Sequence, residues 1–191
     1  HHIQEKITYY IAPSEFMKEL CVGAGIQETI EVIANPIASE TFGTYKEKNY
    51  VGYTGRLSEE KGVEYLIAAA RETPEILYKI AGSGPDEARL KKLAKDLQNV
   101  EFVGWLDGED LFRFIGEARL LVVPSVWYEN YPYSILRPQQ LAKVVIGSNL
   151  GGIPELLPEN CLFESKNISD MIERIRFWYM APAKERASLG K

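Results

Sequence analysis

The chain has 191 residues, 46% of them hydrophobic, with 22 basic and 27 acidic side chains for a net charge of −5. This length supports one substantial core, or one domain and a fraction of another. No Lys/Arg run is dense enough to neutralise a row of phosphates, which excludes a nucleic-acid reader, and no stretch reaches the roughly 18 apolar residues of a membrane span. His1 and His2 read as the remnant of an expression tag, and the opening HHIQEK is not a secretion signal. Cys21 and Cys161 lie in unrelated segments, which suggests neither a disulfide framework nor a zinc site and fits a reducing, cytoplasmic setting. Asn167-Ile168-Ser169 matches the glycosylation pattern by coincidence.

In chain order, strands are expected near 6–11, 30–34, 50–54, 76–81, 100–103, 119–124, 144–148 and 160–163, with helices near 14–23, 61–72, 86–97, 108–117, 134–142, 153–157 and 168–180. This is the rhythm of repeated βα units. Several strands are continuous apolar runs, which implies burial on both faces and hence a doubly wound, parallel, Rossmann-like α/β sheet. The helix ending in IRFWYM, 175–180, is expected to pack on the sheet. Residues 35–49 are polar, aperiodic and contain Pro and Gly, as a linker does. Residues 3–34 are then too short to bury a core of their own and read as the tail of a preceding domain, with the complete domain at 50–191.

Ligands in such sheets bind beyond the carboxyl ends of the strands. After 50–54 comes TGRLSEEKG, where Gly55 permits a tight exit, Ser58 is expected to cap the next helix, and Arg56 and Lys61 place two cations at a helix N-terminus, the outline of a diphosphate site. It is not a Walker loop. After 76–81, Gly82, Ser83 and Gly84 form a turn that lets backbone approach a ligand. After 100–103, Gly104, Trp105 and Leu106 offer backbone groups and a planar surface, or simply packing. After 119–124, PSVWYENYPYSIL crowds aromatics around Glu129, an acceptor for sugar hydroxyls, and Asn130, Tyr131, Pro132, Tyr133 and Ser134 open a helix whose amides can hold phosphate oxygens. In SNLGGIPELL, Glu155 suits either a helix dipole or a ligand.

In this order the pieces APSEF (12–16), NP (35–36), GRLSEEKGVEYLI (55–67), GSGP (82–85), FVGWL (102–106), PSVWYENYPYSIL (124–136) and VIGSNLGGIPEL (145–156) resemble the C-terminal, donor-binding domain of GT-B fold retaining glycosyltransferases. That family includes bacterial mannosyl- and glucosyltransferases of polysaccharide and glycolipid synthesis. The resemblance implies that Arg56 and Lys61 bind the diphosphate of a nucleotide-sugar donor, that Gly82–Gly84 and Gly104–Leu106 face the nucleotide, and that Glu129 faces the donor sugar. It also implies transfer of a hexose with retention, without a metal or other cofactor, to a glycan or lipid-linked acceptor held by a missing N-terminal domain. The parent enzyme would work in the cytoplasm or peripherally at the inner face of the membrane, and the 191-residue chain alone would be inactive. One departure stands out. Eight positions after Glu129, where the family's second glutamate usually binds ribose hydroxyls, the chain has Arg137, a donor-only cation, followed by Pro138. The alternative is therefore a degenerate relative kept as an interaction or scaffold module.

Overall fold

A computed structural model describes residues 7–37 and 43–189. Six parallel strands form the main sheet: β3 (Tyr50–Thr54), β4 (Leu77–Ala81), β5 (Val100–Gly104), β6 (Leu120–Val123), β7 (Val145–Ser148) and β8 (Leu162–Phe163), in the order β5-β4-β3-β6-β7-β8. All four residues of β6 and of β7 are buried, as the uninterrupted apolar runs require when helices cover both faces. Gly52, in the middle of β3, is there for space: a Cβ would lie 2.7 Å from Leu121 Cδ1 and 3.2 Å from Phe114 Cε1.

The covering helices are α2 (Val63–Glu72), α3 (Glu87–Leu93), α4 (Gly108–Glu117), α5 (Tyr133–Gln140) and α6 (Ile168–Met180). In α6, Met171, Ile172, Ile175 and Trp178 face the core while Phe177 and Met180 stay exposed, so IRFWYM packs along one face only. Buried Trp178 satisfies its indole by donating to the Asn160 carbonyl at 3.0 Å. A last helix, α7 (Ala183–Leu189), is not expected from the sequence, whose pattern there is short and polar. The helix expected at 86–97 stops at Leu93, and the one at 153–157 is a single 3-10 turn, Ile153–Glu155.

Ahead of this sheet, β1 (Tyr9–Ala12), α1 (Glu15–Gly23) and β2 (Thr29–Val32) form a separate two-stranded parallel unit. It has almost no core: no residue of α1 is buried, and Tyr9 and Ile11 are 63% and 69% exposed. Long-range polar contacts fasten it. The Glu155 carboxylate accepts hydrogen bonds from the backbone N–H groups of Glu15 (2.9 Å) and Phe16 (2.7 Å), an anion at a helix N-terminus. Phe16 meets Tyr128 with ring centroids 5.3 Å apart.

The segment 35–49 is docked at both described ends. Asn35 Nδ2 donates to the Tyr131 carbonyl (3.1 Å), Tyr45 lies over Gly116 where a Cβ would be 2.2 Å from its ring, and Lys48 pairs with Glu117 at 2.6 Å. No helix among the described residues is long and apolar enough to cross a membrane.

Candidate active site

The strand order reverses between β3 and β6: the chain leaves β3 outward through β4 and β5, then returns to β6 on β3's other side. The loops at the carboxyl ends of these strands diverge there and leave a cleft of about 590 Å³. Backbone hydrogen bonds tie its walls together. Gly55 N–H donates to Ala81 O (3.1 Å), Leu57 N–H to Ser83 O (2.9 Å), and Gly82 N–H to Gly104 O (2.7 Å). The glycines of the second loop serve this stitching. A Cβ on Gly82 would sit 1.8 Å from the Gly55 carbonyl oxygen, and one on Gly84 2.2 Å from that of Leu57. Loop approaches loop here, where a close approach to ligand was expected. Accordingly Gly55, Gly82, Trp105 and Leu106 line the cleft, whereas Ser83, Gly84 and Gly104 do not.

The first loop is held by bonds from its own side chains. Buried Tyr53 donates its hydroxyl to the Arg56 carbonyl at 2.8 Å, and burial, reinforced by the charge of Glu129, pushes that phenol well above its ordinary pKa. Ser58 does not cap the helix. Its hydroxyl bonds Glu60 Oε1 at 2.6 Å, which holds the Glu60 carboxyl below the usual range, and a 3-10 turn, Glu59–Lys61, precedes α2. Gly62 then turns at φ +66°, with a Cβ position only 2.0 Å from Pro124 O, so this loop abuts the one after β6.

That contact brings Lys61 to Glu129. Lys61 Nζ lies 2.6 Å from Glu129 Oε1, the same oxygen accepts from Ser125 Oγ at 2.7 Å, and both charged side chains are largely buried, at 29% and 17% exposure. From behind, Gly152 N–H donates to the Glu129 carbonyl at 2.7 Å, and a Cβ on Gly152 would stand 2.0 Å from Asn130 O. The two glycines of GGIPE therefore form a seat for Glu129.

Pro132 occupies the N-cap of α5, which starts at Tyr133, one residue earlier than expected. Its first N–H groups, on Tyr133 and Ser134, have no partner within the helix and open toward the cleft, which Asn130, Tyr131, Pro132, Tyr133 and Ser134 line. Pro138 is the sixth helical residue and buried, so the Ser134 carbonyl lacks the donor it would have in an ordinary helix. Arg137 lines the cleft, exposed, with its guanidinium over the Tyr133 ring at 5.5 Å. It also borders an adjoining groove of about 530 Å³ shared with Trp105, Leu106 and Leu111. Among the described residues neither Arg56 nor Arg137 has a carboxylate within 4 Å, although Arg56 acts on Glu60 at longer range, while Lys61 is in a close ion pair.

Three contributors were not singled out from the sequence. Ser125, 1% exposed, orients Glu129. Its signal is a hydroxyl directly beyond the carboxyl end of a fully buried strand. Pro13 and Asn35 reach the cleft from just after β1 and β2; both lie in the pieces APSEF and NP that carry the resemblance, which assigned them no role.

The family model for glycosyl transferases group 1 matches residues 35–191. Among curated relatives, the chain is 29% identical to a sulfoquinovosyl transferase of Arabidopsis thaliana, over 68% of this chain and 26% of that protein. It is 30% identical to the alpha-D-kanosaminyltransferase of Streptomyces kanamyceticus, over 68% of this chain and 36% of that protein. The chain thus spans about a third of the length of these relatives. Its fold superimposes on a variant of S. aureus TarM in complex with fondaparinux, alpha-GlcNAc-glycerol and UDP, with TM-score 0.85 at 20% identity, covering 98% of this chain and 39% of that one. Anabaena HepE in complex with UDP and glucose gives TM-score 0.81 at 20% identity, over 96% and 56% of the two chains. On the family match and this GT-B architecture, the chain belongs to the glycosyl transferases group 1 family.

Proposed function

We propose that residues 50–191 are the donor-binding domain of a retaining glycosyltransferase that moves a hexose from a nucleoside-diphosphate sugar to a glycan or lipid-linked acceptor. The observation that carries this reading is the convergence, at the switch point of the sheet, of Arg56, the Lys61–Glu129 pair and the free amides that open α5. The diphosphate lies across Arg56 and Lys61, with its oxygens reaching the Tyr133 and Ser134 amides, and Glu129 turns toward the sugar hydroxyls.

As the glycosidic bond to the diphosphate breaks, negative charge grows on the leaving oxygen. Fixed cations and amides already aimed there stabilise it without reorganising, the role that a metal ion plays elsewhere. A positioned donor of this kind is worth about 3–4 kcal/mol of barrier. Lys61 must exchange its carboxylate partner for phosphate, which frees Glu129 for the sugar. The pair is thus a resting state of the site, broken by the donor itself.

The acceptor side belongs to a further domain, of which the β1–α1–β2 unit is the last piece. Its exposed Tyr9 and Ile11 and its lack of buried helix residues support that reading. The parent acts in the cytoplasm, at the inner membrane face when its acceptor is lipid-linked, and this chain by itself binds donor without transferring sugar.

A second reading, an interaction module that no longer binds nucleotide sugars, is favoured by Arg137 and Pro138 alone. Calorimetric titration with UDP-, GDP- and ADP-sugars separates the two. Binding by the chain, lost in Arg56→Ala, supports the donor domain. Silence in the chain with recovery in Arg137→Glu marks a site disabled at one position, and silence in both leaves the module reading.

A further inference from the structure

A second concentration of charge lies at the opposite end of the sheet. Arg119 directly precedes β6, Lys143 lies just ahead of β7, and Glu47 lies just ahead of β3, so all three sit at the amino ends of the strands, away from the cleft. Arg186 reaches the same place from α7. Among the described residues Glu47 is the carboxylate that pairs with these cations. It lies 3.6 Å from Arg119 Nη1 and 3.7 Å from Lys143 Nζ, and it accepts a hydrogen bond from Arg186 Nη2. The nearby Glu117 is paired with Lys48 at 2.6 Å.

Among the described residues these three cations share one paired acid. None is a solvated surface charge: the side chains of Arg119, Lys143 and Arg186 are 22%, 13% and 5% exposed. Arg119 and Lys143 spend further donors on the carbonyls of Tyr179 and Ala118. Arg186 Nε, however, is buried without a hydrogen-bond partner among the described residues. Buried donors are rarely left unpaired, and buried charge without a counter-charge is costlier still. A cavity of about 370 Å³, bordered by Tyr45, Gly116 and Ala142, opens onto these groups. Burial lowers the pKa of Lys143, with the Glu47 carboxylate acting against that shift and the Arg186 cation adding to it.

We propose that this cavity is a binding site for a phosphate-bearing anion, held by the three cations that line it, Arg119, Lys143 and Arg186. Two guanidinium forks and an ammonium around a half-open pocket suit a tetrahedral dianion better than a carboxylate. The volume admits inorganic phosphate or the phosphate end of a small phosphomonoester such as a hexose phosphate. This site does not rest on the reading of the cleft.

The test uses the 15N-labelled chain carrying Arg56→Ala, which weakens phosphate binding in the cleft, titrated with inorganic phosphate and with a hexose 6-phosphate at constant ionic strength. The Arg186 Nε–H resonance and the amides of Ala142 to Val144 are expected to shift saturably, with affinity falling about tenfold or more in Lys143→Gln and in Arg119→Gln. Tighter binding of the hexose phosphate identifies an organic ligand, and equal or tighter binding of inorganic phosphate identifies the free ion; either supports the site. Resonances that do not move, or that move equally in the two variants, overturn it. If neither variant folds, the response of the Arg186 Nε–H in the Arg56→Ala chain decides alone.

Discussion

Replacing Gly152 by Ala tests how Glu129 is held. Gly152 has φ −83° and ψ 0°, a conformation any residue adopts, so backbone strain plays no part. The effect is purely one of space. The new methyl would stand 2.0 Å from Asn130 O, and real contacts essentially never fall below 3.0 Å, so the loop carrying Glu129 must retreat by at least 1.0 Å (3.0 less 2.0). Such a shift lengthens the Lys61–Glu129 contact from 2.6 Å to about 3.6 Å and strips the 2.7 Å bond from Gly152 N–H to the Glu129 carbonyl. Overpacking of this kind costs about 1–3 kcal/mol, a loss of roughly 3–10 °C in Tm for a chain of this size. Donor affinity should fall by about tenfold or more, since displacing a binding group by an ångström forfeits most of its contact. Differential scanning calorimetry and titration with the donor that binds the parent chain read the two effects. Gly23→Ala is the control: its Cβ meets nothing within 4 Å and Ala is favoured in helices, so it should leave donor binding unchanged and should not lower Tm. A Gly152→Ala protein that melts within a degree of the parent and binds donor equally would refute the idea that the glycine seat positions Glu129.

Asn99 donates through Nδ2 to the carbonyls of Ala70, Thr73 and Ile76, so Asn99→Leu should cost about 2–4 kcal/mol in urea unfolding by stranding buried acceptors. Pro138→Ala should restore a helical N–H to Ser134 and stabilise α5, raising Tm by roughly 2–4 °C, and a fall would show that the ring's packing outweighs the missing donor. Burial raises the Cys161 thiol from 9.0 to about 11 and Tyr78 from 10.0 to about 12. The unfolded chain therefore ionises first, and stability should decline from pH 9 upward, less steeply between pH 9 and 11 in Cys161→Ala. The same burial predicts that a thiol reagent at pH 8 labels half-exposed Cys21 quickly and Cys161 only as the chain unfolds.

The order of strands and helices was legible because each apolar run is long enough to declare its period. Tyr50–Thr54 coincides with its expected bounds, and the loops that form the cleft were found from their places after strands. What local pattern could not convey is contact across the chain. Gly82 and Gly84 looked like ligand-facing turns, yet their missing side chains make room for the Gly55 and Leu57 carbonyls. Ser58 looked like a cap because it precedes a helix pattern, but Glu60 claims its hydroxyl. The partner of Glu155 proved to be a helix N-terminus 140 residues earlier. Glu47 sits in what reads as a plain polar linker, and only the tertiary fold brings three cations to it.

A crystal structure of the chain soaked with the nucleotide sugar it binds tests the central claim most directly. The account predicts diphosphate density across Arg56 and Lys61 at the N-terminus of α5, the Lys61–Glu129 contact opened, and the sugar against Glu129. Density for the diphosphate anywhere else, or a cleft that stays empty with the Lys61–Glu129 pair intact at saturating donor, would contradict it.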